Sequence, residues 1–193
     1  AKKTVDDRAL NGHVWQALRQ HMPRQPNILE IGAGIGTMVE RLAEQQFITS
    51  ASYTAIDSLP ENITAARQRL ADLPTGIELN LEAIDLFDFM ARERGQRYWD
   101  LLIAHAFLDL MDIPATLPQL FSLLEPGGLF YFSINFDGVT TLEPAIDPAL
   151  DAQIERLYHQ TMDERLINGR PSGDSHSGRH LFTHLRQAGA EIL

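Results

Sequence analysis

Between residues 27 and 135 short apolar runs alternate with helical patterns, and this rhythm leaves few folds open. ILEIG (28–32), SYTAID (52–57), IELNLEA (77–83), WDLLIAH (99–105) and GLFYFSIN (128–135) read as strands. GTMVERLAEQQ, PENITAARQRLADL and segments near 86–94 and 114–124 read as helices between them, with Pro74 and Gly76 closing the second. Strand–helix alternation of this kind implies right-handed crossovers and a mostly parallel, doubly wound, Rossmann-like α/β sheet with helices on both faces. With 193 residues, 44% of them hydrophobic, the chain suits one such domain. Ahead of it, residues 5–22 carry Val14, Trp15, Leu18 and Met22 at helical spacing, closed by Pro23 and Pro26; Trp15 reads as a core contact. Residues 136–180 break the rhythm with a Pro-punctuated stretch, an amphipathic helix DAQIERLYHQTMDERLI and a polar loop NGRPSGDSHSGRH, and so read as an insertion. RHLFTHLRQAGA resumes a helix, and AEIL at 190–193 reads as the start of a sixth strand.

The turn from the first strand into its helix carries three glycines, Gly32, Gly34 and Gly36. Glycine lets backbone N–H groups and the positive helix end come close to a ligand, where a Cβ would obstruct. The dinucleotide fingerprint G-x-G-x-x-G needs glycine at position 37, which is Thr37. A nucleotide-dependent oxidoreductase is therefore the weaker alternative. The pattern present, Glu30-x-Gly32-x-Gly34-x-Gly36, resembles motif I of the class I S-adenosylmethionine-dependent methyltransferases. Asp57 ends the second strand 21 residues after Gly36, where an acidic side chain can accept from two ribose hydroxyls. LEAIDLFDF (81–89) resembles the family's third-strand motif, and LLEPGGLFYFSI its L-x-P-G-G entry to the fifth strand.

The resemblance implies S-adenosylmethionine as cofactor and S-adenosylhomocysteine as product. It implies a cofactor site of Glu30, Gly32, Ala33, Gly34, Gly36, Asp57, Ser58, Glu82, Ala83 and His105, with Glu82 at the adenine amino group and Ala83 offering its N–H to the ring. It also implies a seven-stranded sheet, so that a chain ending just after AEIL is expected to be a piece of a longer protein or to lack the terminal strand.

Methyl transfer from a sulfonium needs no covalent intermediate, so the absence of cysteine is no obstacle. A net charge of −10 argues against a protein that grips nucleic acid through phosphate, and Ala104-His105-Ala106-Phe107 lacks the Asn/Asp-Pro-Pro-aromatic motif of amino-group methylation. A small-molecule acceptor is expected, bound between the leading helix and the insertion, whose Arg170, Asp174, His176, Arg179 and His180 could grip an anionic group. His105 is the weak candidate for a general base. Asp109 and Asp112 read as caps, and Asn135 with Asp137 only loosely matches a metal-ligating pair, so no metal is expected. No run of the sequence is a signal peptide or membrane span, which points to a cytoplasmic protein. A non-catalytic domain that senses S-adenosylmethionine is a further alternative.

Overall fold

The computed structural model describes residues 10–133, 136–141, 143–144, 146–167 and 169–193. The chain divides into two compact units. The first takes in the chain as far as His105 together with Gln119–Ser133, and the second Ala106–Pro118 with the chain after Ser133.

The first unit is built on strands β1 (Asn27–Ile31), β2 (Ala51–Asp57), β3 (Ile77–Ala83), β4 (Trp99–His105) and β5 (Leu124–Ser133), all parallel, in the order β3-β2-β1-β4-β5. Successive strand residues point to opposite faces, yet Ile28, Leu29, Glu30 and Ile31 of β1 and Leu101 to Ala104 of β4 are all buried. Both faces are therefore covered, as a parallel sheet requires. One cover is α1 (Gly12–His21), α2 (Thr37–Glu44) and α3 (Pro60–Arg69), which share a core with Ile28, Tyr53, Ala55, Leu101, Ile103 and Tyr131. Trp15 packs on Phe47 at 4.5 Å between centroids and on Tyr131 at 6.0 Å, the core contact its spacing suggests. α4 (Leu86–Glu93) sets Phe89 against Trp99.

Local chemistry explains the helix starts. The Asn11 side chain accepts from the N–H groups of His13 and Val14 at the head of α1, and Asp85 from Phe87 N–H at the head of α4. Pro60 opens α3, where its missing N–H costs nothing. β5 begins earlier than the expected residue 128: Leu124 already pairs with Trp99, and an irregularity carrying Gly127 at φ +79° follows before Leu129 pairs with Leu101. Ile134 and Asn135, the end of the expected fifth strand, lie outside the described residues, as do residues 5–9 of the expected leading helix.

The second unit departs further from the sequence reading. α5 (Ile113–Phe121) begins in it, with Asp112 accepting from Ala115 N–H as the expected cap. α6 (Pro148–Asp163), capped by Asp147, stops four residues short of the expected end. Leu166–Ile167 (β6) instead pairs antiparallel with Arg170–Pro171 (β7), because Gly169 adopts φ +74° and reverses the chain. α7 (Ser177–Gln187) starts inside the stretch expected to be loop. AEIL forms no strand. Gly189 takes φ +86° and the Ala190 N–H donates to Leu185 O, so this backbone closes the C-terminus of α7. No helix among the described residues is long and apolar enough to cross a membrane.

Candidate functional site

Parallel sheets of this order place a crevice outside the carboxyl ends of their strands where the chain reverses direction, here between β1 and β4. Gly32, Gly34 and Gly36 fill the turn out of β1 with φ of +66°, +55° and +77°, values that ordinary side chains resist. They serve different ends. A Cβ on Gly36 would lie 2.6 Å from Leu70 Cδ1, so that glycine packs α2 against α3. A Cβ on Gly34 would meet nothing within 4 Å, so that glycine faces open space. The turn's own amides are partly engaged, with Ala33 N–H on Ile56 O and Gly36 N–H on Ala33 O.

Asp57 is held at the mouth of this turn. Its Oδ2 accepts from Gly34 N–H at 2.8 Å, and its Oδ1 from Leu59 N–H at 2.9 Å and Asn62 Nδ2 at 3.0 Å. The carboxylate is fixed against the glycine turn by these donors while remaining partly exposed.

The strand register sorts the remaining carboxylates. Asp57 aligns with Ala83 and Glu30 with Ala55, so Asp57, Ala83 and Glu30 share a face and Glu82 points to the other. Glu82 is also engaged: Oε1 accepts from Asn80 Nδ2 at 2.7 Å and Oε2 from Arg92 Nη1 at 2.8 Å. The Arg92 hydrogen bond holds its carboxyl below the usual range, against a smaller effect of burial. Ser58 and Ala83 are exposed at the ends of β2 and β3.

Glu30 is only 4% exposed, and its Oε2 accepts from the buried Tyr53 hydroxyl at 2.8 Å. Burial pushes its pKa up to about 7; the Tyr53 hydrogen bond and the charge of Arg41 oppose this, and Asp57 adds to it. Tyr53 is raised well above its ordinary value by burial and by the Glu30 charge. Arg41, buried as well, brings Nη1 to 3.9 Å from Met38 Sδ.

His105 ends β4 on the same face as Glu30, since Ile103 aligns with Glu30. Its Nδ1 meets the Ser133 hydroxyl and its ring stands edge-on to Tyr131 at 4.8 Å. Nε2 is buried with no partner among the described residues. Burial, with a contribution from Arg41, lowers its pKa to about 4, so the ring is neutral at physiological pH and a weak base. The next residue, Ala106, holds φ +50°, an uncommon conformation for alanine.

Sequence reasoning did not single out Tyr53, Arg41, Asn62 or Ser133. Tyr53 and Arg41 look like ordinary strand and helix-surface residues; the β1–β2 register brings Tyr53 beside Glu30, and the packing of α2 buries Arg41 where its charge acts on that carboxyl. It also missed the exposed apolar side chains Ile35, Leu59 and Phe87, which follow the ends of β1, β2 and β3 and are 41%, 48% and 40% exposed. Large apolar groups left at strand ends beside a carboxylate suit the face of a flat heterocycle.

In the second unit the charged residues of the expected anion-gripping loop are mostly engaged. Arg179 donates from Nε to Asp137 Oδ1 and from Nη2 to Asp137 O. This pairing, helped less by His176, holds the Asp137 carboxyl below its usual range. His176 Nδ1 meets the Ser175 hydroxyl and His180 Nδ1 meets Asp174 Oδ2. The side chain of Arg170 lies outside the described residues, as does Asn135.

Fold and glycine turn together define a Rossmann-like α/β domain. The family described as "Methyltransferase domain" matches residues 29–130, over half of the chain. The chain belongs to that family. It is 27% identical over 115 residues to the Ubiquinone biosynthesis O-methyltransferase of Methylobacterium nodulans, across 56% of this chain and 43% of that protein. Among solved structures it resembles an O-methyltransferase family protein from Burkholderia thailandensis (18% identity, TM-score 0.54, covering 94% of this chain and 51% of that one). It also resembles the plantazolicin methyltransferase BpumL in complex with S-adenosylhomocysteine (24% identity, TM-score 0.50, covering 63% and 44%). At these identities the structural likeness concerns the fold. The chain spans about half the length of these relatives or less.

Proposed function

We propose that this domain binds S-adenosylmethionine at the glycine turn and transfers its methyl group to a small-molecule acceptor. The observation that carries the reading is Asp57, fixed by Gly34 N–H at 2.8 Å beside open space that a Cβ at Gly34 would enter. A carboxylate so held accepts from the vicinal hydroxyls of a ribose. Leu59 and Phe87 offer apolar surface to an adenine, and Ala83 its backbone. Glu82, turned to the other face and paired with Arg92, supports the end of β3 in this reading more than it contacts the base. Glu30 acts from inside the core, as a positioning residue for β1 and, through its neighbours, for the turn.

The cofactor supplies an activated methyl group on a positive sulfur. The protein's share is alignment and exclusion of water, worth several kcal/mol where a reacting pair is held in line. His105, neutral and oriented by Ser133, lines the site in this reading. At a pKa of about 4 it is poorly suited to storing the acceptor's proton.

Calorimetric titration with S-adenosylmethionine, S-adenosylhomocysteine and NADH tests the proposal. The first two are expected to bind at one site and NADH not to. Asp57→Ala is expected to weaken S-adenosylmethionine by about 1 to 3 kcal/mol, the usual worth of hydrogen bonds to a charged acceptor. Circular dichroism must show the variant folded, since Gly34 N–H loses its partner. Unchanged affinity in a folded variant removes Asp57 from the site, and binding of NADH alone replaces methyl transfer by hydride transfer. An acceptor screen by mass spectrometry then separates an enzyme from a sensor.

A further inference from the structure

Four imidazoles stand in file in the second unit. Ring centroids are 5.8 Å apart for His159 and His176, 6.0 Å for His176 and His180, and 6.1 Å for His180 and His184. Methyl transfer as described above uses none of them.

Two of them have the spacing of metal ligands. His180 and His184 are four residues apart on α7, so they project from one side of the helix, a turn from each other. Asp174 lies in the turn just before that helix, and one ligand atom from each of the three residues lies within 4.8 Å of the others. Asp174 Oδ2 is already 2.7 Å from His180 Nδ1. His184 Nδ1 is buried with no partner among the described residues, a polar atom cut off from water without compensation.

The carboxylate is also pre-set. Asp163 accepts from Ser175 N–H at 2.7 Å and from the Ser175 hydroxyl at 3.1 Å, which pins the turn. His176 N–H donates to Asp174 Oδ1 at 2.8 Å, leaving Oδ2 to face His180. Ligating carboxylates are commonly oriented by such donors.

We propose that Asp174, His180 and His184 bind one divalent transition-metal ion of the zinc class. Two imidazoles and a carboxylate select such ions over magnesium or calcium, which prefer all-oxygen sets. A ring nitrogen of His180 that binds the ion must be free of hydrogen, which then sits on the other nitrogen. Three protein donors leave a fourth position for water or for an oxygen atom of a ligand. The ion would tie the turn at Asp174 to the second turn of α7. The site does not depend on the methyl-transfer reading, and its test reads metal binding alone.

The full chain, stripped of metal by chelator, is titrated with Zn2+ by calorimetry and with Co2+ by visible absorption. One equivalent is expected to bind, with the absorption of a four-coordinate Co2+ centre. His180→Gln, His184→Gln and Asp174→Asn should each weaken Zn2+ by about tenfold or more, while His13→Gln should leave affinity unchanged. All three ligands are partly exposed, and circular dichroism without metal checks that the variants fold. The proposal is overturned if wild-type protein gives no stoichiometric binding, if Co2+ shows only the weak spectrum of its hexa-aqua ion, or if His13→Gln weakens Zn2+ as much as the ligand variants.

Discussion

Gly36→Val is expected to destabilise the protein by about 2 to 6 kcal/mol, enough to threaten the fold of a marginally stable domain. Two costs add. At φ +77° a β-branched residue is strained by about 1 to 3 kcal/mol. Its Cβ would also stand 2.6 Å from Leu70 Cδ1 and 3.4 Å from Ala66 Cβ, overpacking the contact between α2 and α3 by about 1 to 3 kcal/mol. Gly34→Ala is the internal comparison. It meets no atom within 4 Å, so only the strain at φ +55° applies, about 1 to 2 kcal/mol, and its larger effect should fall on cofactor affinity. Denaturant midpoints followed by circular dichroism separate the two. Equal midpoints for both variants would mean that the turn does not pack against α3 as described.

The second large effect is a pH dependence that two buried groups hide from each other. Glu30 titrates near 7 in the folded protein against an ordinary value of 4.5, so the folded state binds more protons between these values. Its contribution to stability is full below pH 4.5 and is lost as pH rises towards 7. His105 titrates near 4 against 6.5, so there the unfolded state binds more protons. Its contribution is full above pH 6.5 and is lost as pH falls towards 4. Each shift corresponds to about 3 kcal/mol, and between pH 4.5 and 6.5 the two slopes oppose. Glu30→Gln keeps an acceptor for the Tyr53 hydroxyl and removes the first slope. Relative to wild type, it should therefore gain stability as pH rises from 4.5 to 7. His105→Asn should behave oppositely, gaining relative stability as pH falls from 6.5 to 4. Differences from wild type in urea unfolding at four pH values cancel the carboxylates common to all three proteins. Parallel curves would show that neither group is buried as it stands here.

The strands and helices of the first unit were legible because their signals are local. An apolar run bounded by Pro and Gly, an Asn or Asp before a helix and a Pro at its first position act within one turn of chain. Residues 148–193 were harder for a physical reason. DAQIERLYHQTMDERLI keeps helical periodicity to its end, but Ser172 N–H donates to Arg165 O and Arg165 Nε to Ser172 O. Those contacts draw Leu166–Ile167 into a hairpin, and no pattern within the helix announces them. The Gly/Ser loop looked open because its residues are polar, yet Ser175 and Ser177 are fully buried, satisfied by Asp163 and by Phe136 O.

By itself the sequence determined the alternation that makes a parallel sheet, the glycine turn out of β1 and the position of Asp57 at the end of β2. Each depends on spacing along the chain, which the sequence contains. Only the tertiary structure decided which side chains meet. A strand turns every second residue to the other face, so one step of register separates Asp57 from Glu82 and sets Glu30 beside Tyr53. Burial then fixes the protonation of Glu30 and His105, because the cost of a charge depends on the surroundings that folding supplies. The same holds for Asp174, His180 and His184. The two histidines are one helical turn apart in the sequence, but only the fold sets Asp174 Oδ2 2.7 Å from His180 Nδ1, beside a Ser175 held by Asp163.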